Sequence, residues 1–141
     1  MASRSDSARD GGGTTGGRDE RIPSEQRQRG LKRMSEVYGF DLPNLTDDPF
    51  FEVTVDHLFG DIWNRPGLSM RDRRLLLLGA IVAQGHSEIA EIQVGAALRN
   101  GELDADQLRE IAVFLAHYVG WPAATKLDGV IRKTLAKDKK K

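Results

Sequence analysis

Two histidines, a glutamine and a few arginines and aromatics are the side chains of this sequence whose types and spacing can do chemistry. His86, Ile89 or Ala90, Gln93 and Ala97 recur at spacings of three, four and seven, which puts them on one stripe of a helix. His86 and Gln93 then lie two turns, or roughly 10 Å, apart along the axis. They can border one small-molecule cavity but are too far apart for a direct hydrogen bond between most rotamers. Glu88 and Glu91 lie around the side of that helix and read as a solvated face. His117 and Tyr118 precede the corner Gly120-Trp121-Pro122 and form a second polar and aromatic cluster. Either His86 or His117 can act as an acid or base, because imidazole changes charge near neutral pH; each also reads as a satisfied structural histidine. A third cluster lies in Gly60-Asp61-Ile62-Trp63-Asn64-Arg65-Pro66-Gly67-Leu68. Pro66-Gly67 must stop the helix expected over residues 50–62, so Trp63 and Arg65 are held at a helix-to-helix corner.

What is missing narrows the chemistry. The chain has no cysteine, which excludes disulfides, thiol nucleophiles, CxxC redox chemistry and thiolate metal sites. Its three histidines show neither HxH nor HExxH spacing, so no metal site is expected. GxGxxG and GxxxxGK[ST] do not occur, and the tract Gly11-Gly12-Gly13 has no strand before it. The 21 basic residues are balanced by 21 acidic ones, which gives no basic excess for a nucleic acid. The longest nearly uncharged apolar stretch, residues 75–84, falls far short of the roughly 20 residues of a membrane span. The polar N-terminus has no secretory signal pattern, and a cytoplasmic location is expected.

A length of 141 residues suits one domain with tails. Residues 1–21 are too polar to offset the entropy of ordering and are expected to be a disordered tail, and the basic residues 137–141 a solvated end. Between them every strong signal is helical. Ser24 caps a first helix that Gly39 stops; it carries few apolar residues and must lean on something else. Asp48-Pro49 opens a second helix whose Phe51, Val55, Leu58, Phe59 and Ile62 form a core face. Ser69 to Asp72 resembles a capping box for a third, apolar on most sides and so expected in the middle of the fold, ending near Gly85. A fourth runs from about Ser87 to Asn100-Gly101. Asp104 to Gln107 is a second capping box, opening a helix with Leu108, Ile111, Ala112, Leu115 and Val119 on its core face. Gly120 ends it, and Trp121-Pro122 starts the last. Six helices with short links and no strand pattern predict an all-α domain over residues 22–136. Helices four and five have the outline of a helix-turn-helix, but Asp104, Asp106 and Glu110 stand where a base-reading helix presents neutral or basic groups.

Three segments carry a resemblance to a known family: residues 59–68 at the Trp63 corner, residues 95–101 (Gly95-Ala96-Ala97-Leu98-Arg99-Asn100-Gly101), and residues 117–124 from His117 to Ala124. Across about residues 30–136 the chain resembles the carboxymuconolactone decarboxylase family, and the first segment resembles its γ-carboxymuconolactone decarboxylase branch. The family also includes alkylhydroperoxidase-like enzymes that use a glutamate, a CxxC pair and a histidine. Here those positions hold Arg74, His86, Ile89 and Gln93, so thiolate peroxidase chemistry is excluded.

The resemblance implies an all-α fold of the alkylhydroperoxidase/carboxymuconolactone decarboxylase type and a reaction that takes γ-carboxymuconolactone to 3-oxoadipate enol-lactone and carbon dioxide with no cofactor. Loss of the carboxylate sends an electron pair through the ring alkene onto the lactone oxygen, and a proton must then reach carbon. Gln93 stands where the branch would have histidine. It can donate to an oxyanion but cannot supply the proton, which moves that role to His86 or His117. Arg65 and Arg74 are then expected to bind the substrate carboxylates, since a guanidinium pairs them in two places, with Trp63 walling the pocket and Tyr118 and Trp121 contributing. Arg65 reads equally as a corner contact to backbone carbonyls or to Asp61. The expected partners are a small carboxylated lactone or keto acid and further copies of the chain, as a homotrimer or homohexamer, with no nucleic acid and no membrane. The first reading is thus a cofactor-free decarboxylase of aromatic-acid catabolism. A diverged member acting on another small carbonyl acid and a non-catalytic assembly protein are the alternatives.

Overall fold

Ser24 accepts a hydrogen bond from the amide of Arg27 and starts α1 (Glu25–Tyr38), and Gly39, at φ 78°, stops it. The computed structural model describes residues 23–140, so the tail expected over residues 1–21 lies outside the described residues. Asp48 caps α2 (Pro49–Val53) by accepting from Phe51, with proline at the first helical position. The further helices are α3 (Met70–Ala83), α4 (Ser87–Arg99), α5 (Ala105–Val119) and α6 (Trp121–Asp138). Among the described residues all regular structure is helical. Ser69 caps α3, and the capping box of Asp104 and Gln107 at the start of α5 is complete in both directions. α6 runs on through Lys137 and Asp138, past the expected domain edge.

The second helix is not one regular piece. After Val53 it widens into π-helix over Thr54–Phe59, where the Gly60 amide reaches back five residues to the Val55 carbonyl at 2.8 Å, and a 3-10 turn covers Ile62–Asn64. This winding puts Val55, Phe59 and Trp63, spaced four apart, onto α1, while Leu58, expected in the core, stays partly exposed. The sparse α1 can pack there because it comes so close. A Cβ on Gly30 would lie 2.1 Å from the Val55 carbonyl oxygen. Arg27 adds a two-point ion pair to Asp56 at 2.5 and 2.8 Å.

Two apolar clusters result. Met34 and Val37 of α1 pack with Val55, Phe59 and Trp63; Leu78, Val94, Leu108, Leu127 and Ile131 anchor the larger cluster among α3 to α6. α4, rather than α3 as expected, takes the middle: it packs on α1, α3 and α6, and Gln93, Val94, Gly95, Ala96 and Ala97 are buried in succession. The small residues of that run let neighbours approach closely. α3 shows one side to solvent, with Leu76 64% exposed.

Candidate functional site

Where α1, α3 and α4 meet, the chain buries a charge. Arg74 on α3 is 0% exposed. Its Nε and Nη2 donate to the two carboxylate oxygens of Glu102 at 3.1 and 2.9 Å, and Nη1 donates to the Val37 carbonyl at 2.6 Å and to Gln93 Oε1. A buried guanidinium is tolerated only when paired and hydrogen-bonded, and here each of its three nitrogens has a partner. Glu102 reaches it because Gly101, at φ 69°, reverses the chain after α4; the Glu102 side chain is 8% exposed and also accepts from Asn100 Nδ2.

The same residues fasten α1. Three successive carbonyls at its C-terminus, which the helix itself leaves without donors, accept from side chains of the neighbouring helices: Glu36 from Asn100, Val37 from Arg74 and Tyr38 from Arg99. Gln93 completes the cluster. Its Oε1 faces Arg74, which turns the amide nitrogen the other way. No acceptor among the described residues takes that nitrogen's hydrogens. Since among the described residues no fully enclosed side-chain nitrogen or oxygen lacks a partner, the amide nitrogen is not fully enclosed; Gln93 as a whole is 3% exposed.

The other expected site residues fall into separate places. Trp63 is buried and stacks on Phe59 at 6.2 Å, in the cluster whose Val37 also bonds Arg74. Arg65 is exposed, and the corner is held by Arg73, whose guanidinium donates to the carbonyls of Arg65 and Leu68. His86 is exposed at the residue before α4 and borders a small recess with Ala90, Ala123 and Lys126. His117 and Trp121 stand edge to face at 5.3 Å and line a groove of about 340 Å³ between α5 and α6, with Arg109, Thr125 and Asp128. His117 Nδ1 is 2.8 Å from the Val113 carbonyl, so it carries the hydrogen and leaves Nε2 free. Tyr118 is exposed beside Phe114.

The structure thus joins Arg74 and Gln93 beside the C-terminal end of α1, leaves Trp63 in the neighbouring cluster that shares Val37 with them, and puts His117, Tyr118 and Trp121 at the α5–α6 corner. Arg74, expected to meet substrate, has no accessible surface and is fully engaged with Glu102, Val37 and Gln93. Glu102 escaped the sequence reading. The signal available was an acid directly after a left-handed glycine, in a chain whose α3 carried an arginine immediately before an apolar run.

The hydrogen bond from Arg27 holds the Asp56 carboxyl below its usual range, and the ammonium of Lys133, 3.0 Å away, does the same for Glu91. Burial pushes the Tyr38 phenol up. Among the described residues no three His, Cys, Asp or Glu side chains are grouped to hold a metal ion, and no helix is long and apolar enough to cross a membrane.

A model of the carboxymuconolactone decarboxylase family matches residues 48–133, which covers α2 to α5 and most of α6. The chain belongs to the carboxymuconolactone decarboxylase family. It is 31% identical over 108 residues to a 4-carboxymuconolactone decarboxylase of Acinetobacter baylyi, spanning 71% of this chain and 80% of that one. It is also 31% identical over 113 residues to a nitrosuccinic acid decarboxylase of Metarhizium robertsii, spanning 75% of this chain and 78% of the other. Within the family-matched stretch lie Arg74, Gln93 and Glu102, while α1, which they fasten, precedes it.

Proposed function

We propose that this protein is a cofactor-free decarboxylase acting on a small carboxylate whose departing carbon dioxide leaves an electron pair next to an electron-accepting group, with a carboxylated lactone of the γ-carboxymuconolactone type as first candidate. The two named relatives support this breadth. In 4-carboxymuconolactone the electron pair runs through the ring alkene onto the lactone oxygen, and in nitrosuccinate it runs onto the nitro oxygens. Both reactions develop negative charge on oxygen and both end with a proton on carbon. Equal identity to the two relatives favours the shared chemistry over either substrate.

The observation that carries the reading is the Gln93 amide, locked through its oxygen to Arg74 and open through its nitrogen. A fixed donor aimed where charge develops is worth about 10²–10³ in rate. Gln93 fills that role, and His86, two turns earlier on the helix, returns the proton to carbon. Trp63, in the cluster that shares Val37 with Arg74, and Arg65, at the exposed corner, keep their assignments as pocket wall and carboxylate cation from the family resemblance.

Purified protein is incubated with γ-carboxymuconolactone and, separately, with nitrosuccinate, with ultraviolet absorbance and released carbon dioxide followed together. Turnover of at least one substrate above its spontaneous rate is expected. No turnover of either overturns the proposal.

A further inference from the structure

We infer that Arg74 and Glu102 are positioning residues for the Gln93 amide: Glu102 holds the guanidinium, and the guanidinium sets which end of the amide faces outward. The inference deepens the decarboxylase reading and rests on it for its catalytic consequence.

A side-chain amide is symmetric in shape and opposite in polarity at its two ends. Turned over, Gln93 would present a carbonyl oxygen to the substrate and repel the oxyanion it is meant to stabilise. Arg74 prevents this, because a guanidinium has only donors, and a donor facing Nε2 would meet N–H groups head on. The lock is only as good as the placement of Arg74. That placement comes from the two-point bond to Glu102 and the bond to the Val37 carbonyl, which fix the plane of the guanidinium and leave it no accessible surface. Charge makes the same point. Glu102 balances Arg74, so the buried trio offers the site a neutral N–H donor rather than a cation, and substrate carboxylates must find their cation elsewhere.

The division of labour is asymmetric. Gln93 touches substrate; Arg74 and Glu102 act only through it. The conservative variants Arg74→Lys and Glu102→Gln test this, since each keeps a hydrogen-bonding side chain while breaking the planar, two-point pairing. Each is made alone and combined with Gln93→Ala, and thermal melting identifies the variants that stay folded. With the substrate that the wild type turns over, each single variant is expected to lose about 10²-fold in kcat with KM changed by less than a few-fold. Either change added to Gln93→Ala is expected to cost almost nothing more, because the residue they position is gone. Additive losses, or full kcat in both single variants, would overturn the inference.

A second readout needs no turnover. In ¹⁵N-labelled protein the Gln93 side-chain NH₂ is expected to be as rigid as the backbone in the wild type, and to gain picosecond-to-nanosecond mobility in Glu102→Gln while the backbone amides of α4 do not. An NH₂ already mobile in the wild type, or one unmoved by either substitution, overturns the positioning role. If the NH₂ behaves as expected but neither substrate is turned over, the decarboxylase reading fails and the positioning role stands.

Discussion

Glutamine and glutamate share a shape, and at position 93 they differ in whether an N–H faces outward. Gln93→Glu keeps an oxygen for Arg74 and loses the donor, so kcat is expected to fall about 10²–10³-fold in a folded protein, measured with whichever substrate the wild type decarboxylates. Retained kcat would remove Gln93 from the reaction. Gln93→His tests the opposite direction. Beside the Arg74 cation an imidazole is held neutral, so one ring nitrogen accepts from Arg74 and the other presents an N–H outward, with the same polarity as the amide. The histidine variant is therefore expected to stay within about tenfold of wild type, and a folded but inactive protein would contradict that.

Among the elements, the seam between α1 and the π-helical segment is the most sensitive. Alanine normally improves a helix over glycine by about 1 kcal/mol. At Gly30 the added Cβ would meet the Val55 carbonyl oxygen at 2.1 Å, a backbone atom that cannot rotate away. Gly30→Ala is thus expected to destabilise by about 2 kcal/mol or more in denaturant unfolding, whereas Gly129→Ala, on the exposed side of α6 with nothing within 4 Å, is expected to stabilise by about 0.5–1 kcal/mol. Equal effects at the two sites would refute the close approach. The same seam carries the Arg27–Asp56 pair, which gives it a pH dependence. Asp56 binds its proton less readily folded than unfolded, so the pair stabilises the fold above the unfolded carboxyl value of about 4 and loses that contribution as pH falls through the lower folded value. Because the Asp56 side chain is 37% exposed, about 0.5–1 kcal/mol is expected. Asp56→Asn should cost that much at pH 7 and nothing near pH 2; a gap that persisted in acid would point to packing instead.

For the whole molecule the exposed apolar surface calls for a second copy. Phe50 is 84% exposed, Tyr118 77%, Trp121 63% and Phe114 60%, on helices that pack their other sides into the core. Soluble monomers rarely show that much large apolar surface on several elements at once. Self-association is expected from light scattering at micromolar concentration, and a monomer would contradict it. A groove of about 440 Å³ lined by Tyr38, Phe40, Leu42, Phe50 and Phe51 beside α2 adds to that apolar surface.

Helix starts and stops were legible in the sequence because they depend on a few adjacent residues. Ser24, Ser69 and Asp104 cap where they were expected to, and Gly39 and Gly101 turn the chain with positive φ. The segments around Trp63, Arg99 and Trp121 likewise carried the family, since they are contiguous. What the sequence could not reveal depends on residues far apart in the chain. The π turn in the second helix coincides with the close approach of Gly30 to Val55, 25 positions later, a contact that no local pattern displays. Which apolar helix takes the centre follows from the small residues of α4, and hydrophobicity alone pointed to α3. Above all, an arginine at the head of an apolar run reads as a free cation until its acid is found, and that acid is 28 residues away on the far side of a glycine turn. Local chemistry therefore determined the elements and the family. Only the tertiary structure decided that Arg74 faces Gln93 and Glu102 instead of a substrate, because burying a charge depends on partners that folding alone assembles.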